Sequence, residues 1–164
     1  MKEIKQRRID KMFIDIAVVV SDQSKCLKLH VGSVITKDGY IISMGYNGSA
    51  AGFTNCCDQF KDSMNGHSDW ADNFEIHAEM NAILFAARTG ISTQNTTLYC
   101  THIPCHNCLK HIIQAGISRV VWLNDWASVK YTQETNNLIN NAGLVIERFE
   151  TNENDQHKME NTEL

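Results

Sequence analysis

Residues 96–121 read TTLYCTHIPCHNCLKHIIQAGISRVV, and the order of signals in them decides the fold. "TTLYCT" is rich in β-branched and aromatic residues, as a strand requires. Pro104, the one proline of the chain, opens a helix carrying Leu109, Ile112 and Ile113; its fixed φ suits a first helical position, and Gly116 follows the helix end. "SRVVWL" (118–123) is the next strand. Strand, helix and strand on short connections predict a right-handed crossover between parallel neighbours. Cys105 and Cys108 fall at the helix start, in CxxC spacing.

The same alternation continues outward. A helix over 132–142 ends before Gly143, and "LVIERF" (144–149) is a last strand. Upstream, Ile76, Met80, Ile83, Leu84 and Ala87 mark a helix closed by Gly90. "VGSVIT" and "YIISMGY" flank Lys37-Asp38-Gly39, whose Asp-Gly pair supplies the positive φ of a tight hairpin. Ile9, Met12, Phe13, Ile16, Ala17 and Val20 define one face of a first helix over 9–20. The segment from Asn47 to Asn73 has no sustained period and reads as an irregular insertion of the functional kind. The expected class is α/β, a central mixed five-stranded sheet flanked by helices in three α/β/α layers.

A length of 164 residues fits one domain, placed at 1–150, with the polar, aperiodic "TNENDQHKMENTEL" (151–164) as a flexible tail. Hydrophobic content of 43% holds no apolar window long enough for a membrane span. The basic N-terminus leads into an amphipathic helix, not a signal core, so a cytoplasmic protein is expected. A net charge of −4 speaks against nucleic acid as a partner, while leaving room for a pocket that takes one phosphate. Six cysteines and seven histidines in a reducing compartment point to metal binding.

His77 and Glu79 begin one helix, Cys105 and Cys108 another, and side chains tilting toward the helix starts bring all four to one point. Three N/S ligands with one open position make a hydrolytic zinc site, whereas four make a structural one. Positive helix ends and the metal favour thiolate at both cysteines. His77, Cys105 and Cys108 are the candidate ligands. Glu79 is left over as the acid-base group that moves a proton from the activated water to substrate. A CxxC alone also marks redox pairs and buried cysteines; the joint pattern at two helix starts favours the catalytic site over a purely structural zinc. HxE followed by PCxxC is the signature of zinc nucleobase deaminases.

"SKCLKLHVGSVI" (24–35), "IISMGYNGSAAGFTNCCD" (41–58), "HAEMNAILFAARTG" (77–90) and the opening stretch together resemble the deoxycytidylate (dCMP) deaminases of the T-even phage type, within the cytidine deaminase superfamily. The resemblance covers most of residues 24–121. It implies attack of an activated water at C4 of cytosine, with Glu79 protonating N3 and then the leaving amine, so that dCMP becomes dUMP for dTTP synthesis, in the cytoplasm (of a host, for a viral protein). Asn47 would hold the sugar, and Ser24, Lys25 and Tyr131 would lie near the phosphate; a solvated surface residue is the alternative for Lys25. The family's regulation implies activation by dCTP and inhibition by dTTP, with Mg2+ accompanying the triphosphate. Gly45, Tyr46, Gly48, Gly52, Phe85 and Arg88 would build that site in a homo-hexamer, and a core position is the alternative for Phe85. A second, structural zinc is implied at Cys26, Cys56, His67 and Glu75, with Cys57 and His30 as alternative ligands. His102 and His106 are expected on a polar rim, and Ala50 replaces the proline of many relatives. The same chemistry on dCTP, cytidine or a tRNA adenosine is the rival reading, and a non-catalytic zinc module is the reading from another class.

Overall fold

A computed structural model describes residues 2–152; all but the first two residues of the expected tail lie outside the described residues. The chain runs α1 (Lys2–Ser21), β1 (Gly32–Lys37), β2 (Tyr40–Tyr46), β3 (Gly48–Ser49), α2 (Cys56–Gln59), α3 (His67–Phe74), β4 (Glu75–Ile76), α4 (Ala78–Arg88), β5 (Thr97–His102), α5 (His106–Gln114), β6 (Arg119–Asn124), α6 (Gln133–Ala142) and β7 (Val145–Arg148). The five long strands form one sheet in the order β2-β1-β5-β6-β7. β1 pairs antiparallel with β2 and β5, while β5, β6 and β7 are parallel. The mixed sheet is thus as expected, and Asp38 and Gly39 turn the hairpin at φ 52° and 84°.

Register explains the layers. Val34 lies opposite Tyr99, and Tyr99 opposite Val121, so these three share one face and pack with Phe13, Ile14 and Ala17 of α1. One residue along, Ile35, Leu98 and Val120 point the other way and pack with Ala82 of α4, Leu109 and Ile112 of α5 and Ile139 of α6. β1 and β5 are buried on both faces because helices cover both.

Two glycines set how closely the helices approach. A Cβ on Gly32 would collide with the Ala17 carbonyl and the Ser21 amide of α1, and one on Gly45 with the Ala78 carbonyl and the Ala82 amide of α4. Gly45 therefore lets β2 pack closely on α4. The α1 face also buries one ion pair. Asp10 accepts bonds from Arg119 (2.8 Å to each oxygen), Tyr99 (2.8 Å) and Gln6 (3.0 Å). Burial raises the Asp10 pKa, but those bonds and the Arg119 charge outweigh it and hold the carboxyl below its usual range.

Two expectations at the helix starts shift by one or two residues. Pro104 precedes the helix instead of opening it: Cys105 is the N-cap of α5 and His106 its first residue. His77 is likewise the N-cap of α4. The insertion is more ordered than its composition suggests, since it carries α2 and α3 and closes on the two-stranded β3-β4 pairing.

Candidate active site and metal centres

β4 delivers His77 and β5 delivers Cys105, each in extended backbone immediately before a helix. His77 Nδ1 lies 3.5 Å from Cys105 Sγ and 3.4 Å from Cys108 Sγ. All three donor atoms fall within 4.8 Å of one another. Ligands about 2.0–2.3 Å from a tetrahedral ion stand about 3.6 Å apart, so the triad fits zinc by distance and by donor chemistry. The Cys108 amide bonds Cys105 Sγ at 3.4 Å, a capping contact made by sulfur.

The hydrogen bond from Cys108, with His77 beside it, brings Cys105 down to about 4 against the effect of burial. The Cys105 contact raises His77 to about 9, burial opposing it, while bonding to Cys105 and burial raise Cys108. Cys105 and His77 thus each favour the other's charged form, a stabilisation of the thiolate that a cation would take over on binding. Glu79, on the first turn of α4, is 4% exposed, and burial raises its pKa.

A second cluster gathers Cys26, Cys56, His67 and Glu75, with one donor atom from each within 4.8 Å of the others. His67 Nε2 lies 3.1 Å from Cys56 Sγ and 3.5 Å from Cys26 Sγ. His67 Nδ1 and Glu75 Oε1 are buried without a hydrogen-bond partner among the described residues. An orphaned carboxylate oxygen beside two thiols is costly unless it meets a cation, so this set also fits a metal. Burial first, then the neighbouring Cys26 and Glu75, push Cys56 up to about 11, despite the Leu27 amide bonded to it. Cys57 and His30, the alternative ligands, stand outside the cluster.

Both clusters border one cleft of about 330 Å³, which His77, Glu79, Cys105, Cys26, His67 and Glu75 all help to line. Asn47 lines it too; its amide is largely committed, accepting from Val31 N at 2.8 Å and donating to Leu29 O at 2.9 Å. The expected phosphate residues fare differently. Ser24 is buried and donates to the Asn47 carbonyl at 3.0 Å, Lys25 is exposed, and Tyr131 donates to the Pro104 carbonyl at 3.0 Å; none of the three lines the cleft. Ser24 thus braces the Asn47 turn, and Tyr131 fixes the residue before Cys105. Tyr46, Phe85 and Arg88 are exposed. Arg88 lies over the Phe85 ring at 5.4 Å, so Phe85 is not core.

Sequence reasoning missed Lys28, Ser68, Trp126 and Ser128, which also line the cleft. For Trp126 the available signal was topological, because residues just past the carboxyl end of a parallel strand border the ligand crevice. His102 does lie on the rim, its ring edge-on to Trp126 at 6.2 Å. His106 instead bonds Thr135 of α6 at 3.0 Å.

A mixed sheet whose one helix layer starts at a His–Cys–Cys triad, with a buried carboxyl beside it, defines a zinc-binding deaminase domain. Residues 7–124 match the cytidine and deoxycytidylate deaminase zinc-binding region, and the chain belongs to that family. Deoxycytidylate deaminase of Enterobacteria phage T4 is 37% identical, over 81% of this chain and 86% of its own. ComE operon protein 2 of Bacillus subtilis is 40% identical, over 80% of this chain and 66% of its own. Among solved structures, dCMP deaminase from the cyanophage S-TIM5 in complex with dCMP and dUMP superposes with a TM-score of 0.69 at 32% identity, covering 90% of this chain and 98% of that one.

Proposed function

We propose that this chain hydrolyses dCMP to dUMP and ammonia. The observation that carries the reading is a juxtaposition: in a chain of this family, the buried Glu79 shares one cleft with the His77–Cys105–Cys108 triad. The relatives named deoxycytidylate deaminase, and the S-TIM5 enzyme with dCMP and dUMP bound, support the choice of substrate.

His77 Nδ1 and the sulfurs of Cys105 and Cys108 would hold zinc. Zinc bound there would supply the Lewis acidity that makes a water acidic near neutral pH. Glu79 takes one proton from the attacking water and passes it to N3, then takes the second from the new C4 hydroxyl and delivers it to the amine as the C4–N bond breaks; oxygen stays on C4 as the carbonyl and ammonia leaves. Burial raises the Glu79 pKa, and a carboxyl placed between water and base can take a proton from one and give it to the other. Asn47 keeps one N–H and one lone pair beyond its two backbone bonds, and these serve the sugar.

Cys26, Cys56, His67 and Glu75 would hold a second, structural zinc that ties the insertion to the 24–31 loop; the buried, unpartnered Glu75 oxygen supports it. A single domain over 1–150, a cytoplasmic location and the supply of dUMP for dTTP synthesis belong to the same reading. So do regulation by dCTP and dTTP with Mg2+ and a homo-hexamer. The exposed Phe85–Arg88 pair and the open space around Gly48 and Gly52 support these. Among described residues, no helix is long and apolar enough to cross a membrane.

The test is ammonia release from dCMP, dCTP, cytidine and a tRNA stem-loop by zinc-loaded protein. dCMP is expected to react with the highest kcat/KM, and reaction with RNA alone would overturn the assignment. A dCMP titration with and without dCTP and dTTP tests regulation; an identical hyperbola in all three would remove it.

A further inference from the structure

Resting on the reading of a nucleoside monophosphate as substrate, we infer that Lys28, held by Ser68, is the clamp for the 5′-phosphate, and that the second metal cluster fixes this clamp at the mouth of the catalytic cleft.

Lys28 is the one lysine or arginine among the described residues lining the cleft that Glu79 and His77 border. Its Nζ lies 3.1 Å from Ser68 Oγ, and both residues are exposed, so ammonium and hydroxyl stand side by side and open to an incoming anion. A phosphate needs that combination: a point charge, with donors that reach its oxygens. The two groups come from chain segments 40 residues apart, and their separation is set by the cluster. Lys28 is two residues past Cys26, and Ser68 is next to His67; both neighbours are cluster donors within 4.8 Å of each other. One ion there would lock the loop before β1 and the start of α3 into a single rigid rim.

The charge balance of the rim makes Lys28 necessary. Asp72, one helical turn beyond Ser68 on α3, lines the same cleft. Glu75 belongs to the cluster. Without Lys28 this side of the rim would present a carboxylate to a dianionic phosphate. Residue-neutralising changes at positions 28 and 72 should therefore move binding in opposite directions.

The product avoids turnover, so the experiment measures Kd of dUMP and of deoxyuridine on the zinc-loaded protein by calorimetry, for wild type, Lys28→Gln, Lys28→Arg, Ser68→Ala and Asp72→Asn, alongside kcat and KM for dCMP. Lys28→Gln should weaken dUMP on the order of ten- to hundred-fold, as expected for hydrogen bonds to a charged group, and leave deoxyuridine within about two-fold. KM for dCMP should rise with kcat held. Lys28→Arg should restore most of the preference, Ser68→Ala should cost about three- to ten-fold on dUMP only, and Asp72→Asn should tighten dUMP. Equal losses for nucleotide and nucleoside in Lys28→Gln, or no loss in either, would overturn the clamp while wild-type discrimination between the two leaves the substrate reading standing. A wild type that binds dUMP no better than deoxyuridine would overturn both.

Discussion

Asp10→Asn should be the most destabilising conservative change on the α1 face. Asp10 is 6% exposed and takes two bonds from Arg119 at 2.8 Å, plus one each from Tyr99 and Gln6. Asparagine keeps the shape but turns an N–H toward the guanidinium. Breaking a buried pair by removing one charge costs about 3–5 kcal/mol. Arg119 keeps Glu147 at 2.9 Å and Tyr99 can still donate, which places the loss at the lower end, about 3 kcal/mol. At about 2–4 °C per kcal/mol for a chain of this size, Tm should fall by about 6–12 °C. Differential scanning calorimetry at pH 7 measures it, with Asp15→Asn as control; its half-buried i,i+4 pair with Lys11 should move Tm by less than about 2 °C. The pH sign follows from the depressed folded-state pKa of Asp10. Its stabilisation is complete above the unfolded value of 3.8 and is lost as pH falls through the lower folded value. The gap between wild type and Asp10→Asn should therefore close in that acid window. A pH 7 drop as small as the control's, or a gap that widens in acid, would refute the reasoning.

Gly45→Ala should cost about 1–3 kcal/mol by overpacking, because the new methyl meets α4 backbone that cannot rotate away; urea unfolding reads the loss, and zinc content should fall with it as α4 carries Glu79 and follows His77. Extensive dialysis against a strong chelator should lower Tm and raise proteolysis within 47–73, where the proposed second zinc would join the small cluster around Phe60, and protease mapping locates the cuts. Glu75→Gln should reduce zinc stoichiometry from two to about one per chain by elemental analysis, because an amide is a poorer ligand than a carboxylate; an unchanged value of two would remove Glu75 from the ligand set.

The sheet was legible because its signals are local. The Asp38-Gly39 turn, the β-branched runs and the 3.6-residue stripes each report a period or a turn, and short connections make β1 and β2, and β5, β6 and β7, neighbours; the β1–β5 pairing spans residues 38–96 and left no such local signal. His77, Glu79, Cys105 and Cys108 were legible as chemistry, since few structures other than a metal centre call for that combination. The insertion was opaque because α2 and α3 are short and the buried residues that hold it, Cys26, Cys56, Phe60 and His67, come from distant positions, with Trp70 and Phe74 alone to mark a face of α3. Ser24 and Lys25, which the resemblance implied near the phosphate, show how little a position in sequence says about where a side chain turns. Ser24 turns inward to brace the Asn47 carbonyl, Lys25 stays out in solvent, and it is Lys28 that reaches the cleft.

The most direct test of the central claim compares dCMP deamination by wild type and Glu79→Gln at matched zinc content. The glutamine side chain preserves size and leaves the His77–Cys105–Cys108 donors in place but cannot accept a proton, so kcat should fall by at least about 10²–10⁴-fold with zinc still bound. Turnover of dCMP within a few-fold of wild type in a fully metallated Glu79→Gln would contradict the account.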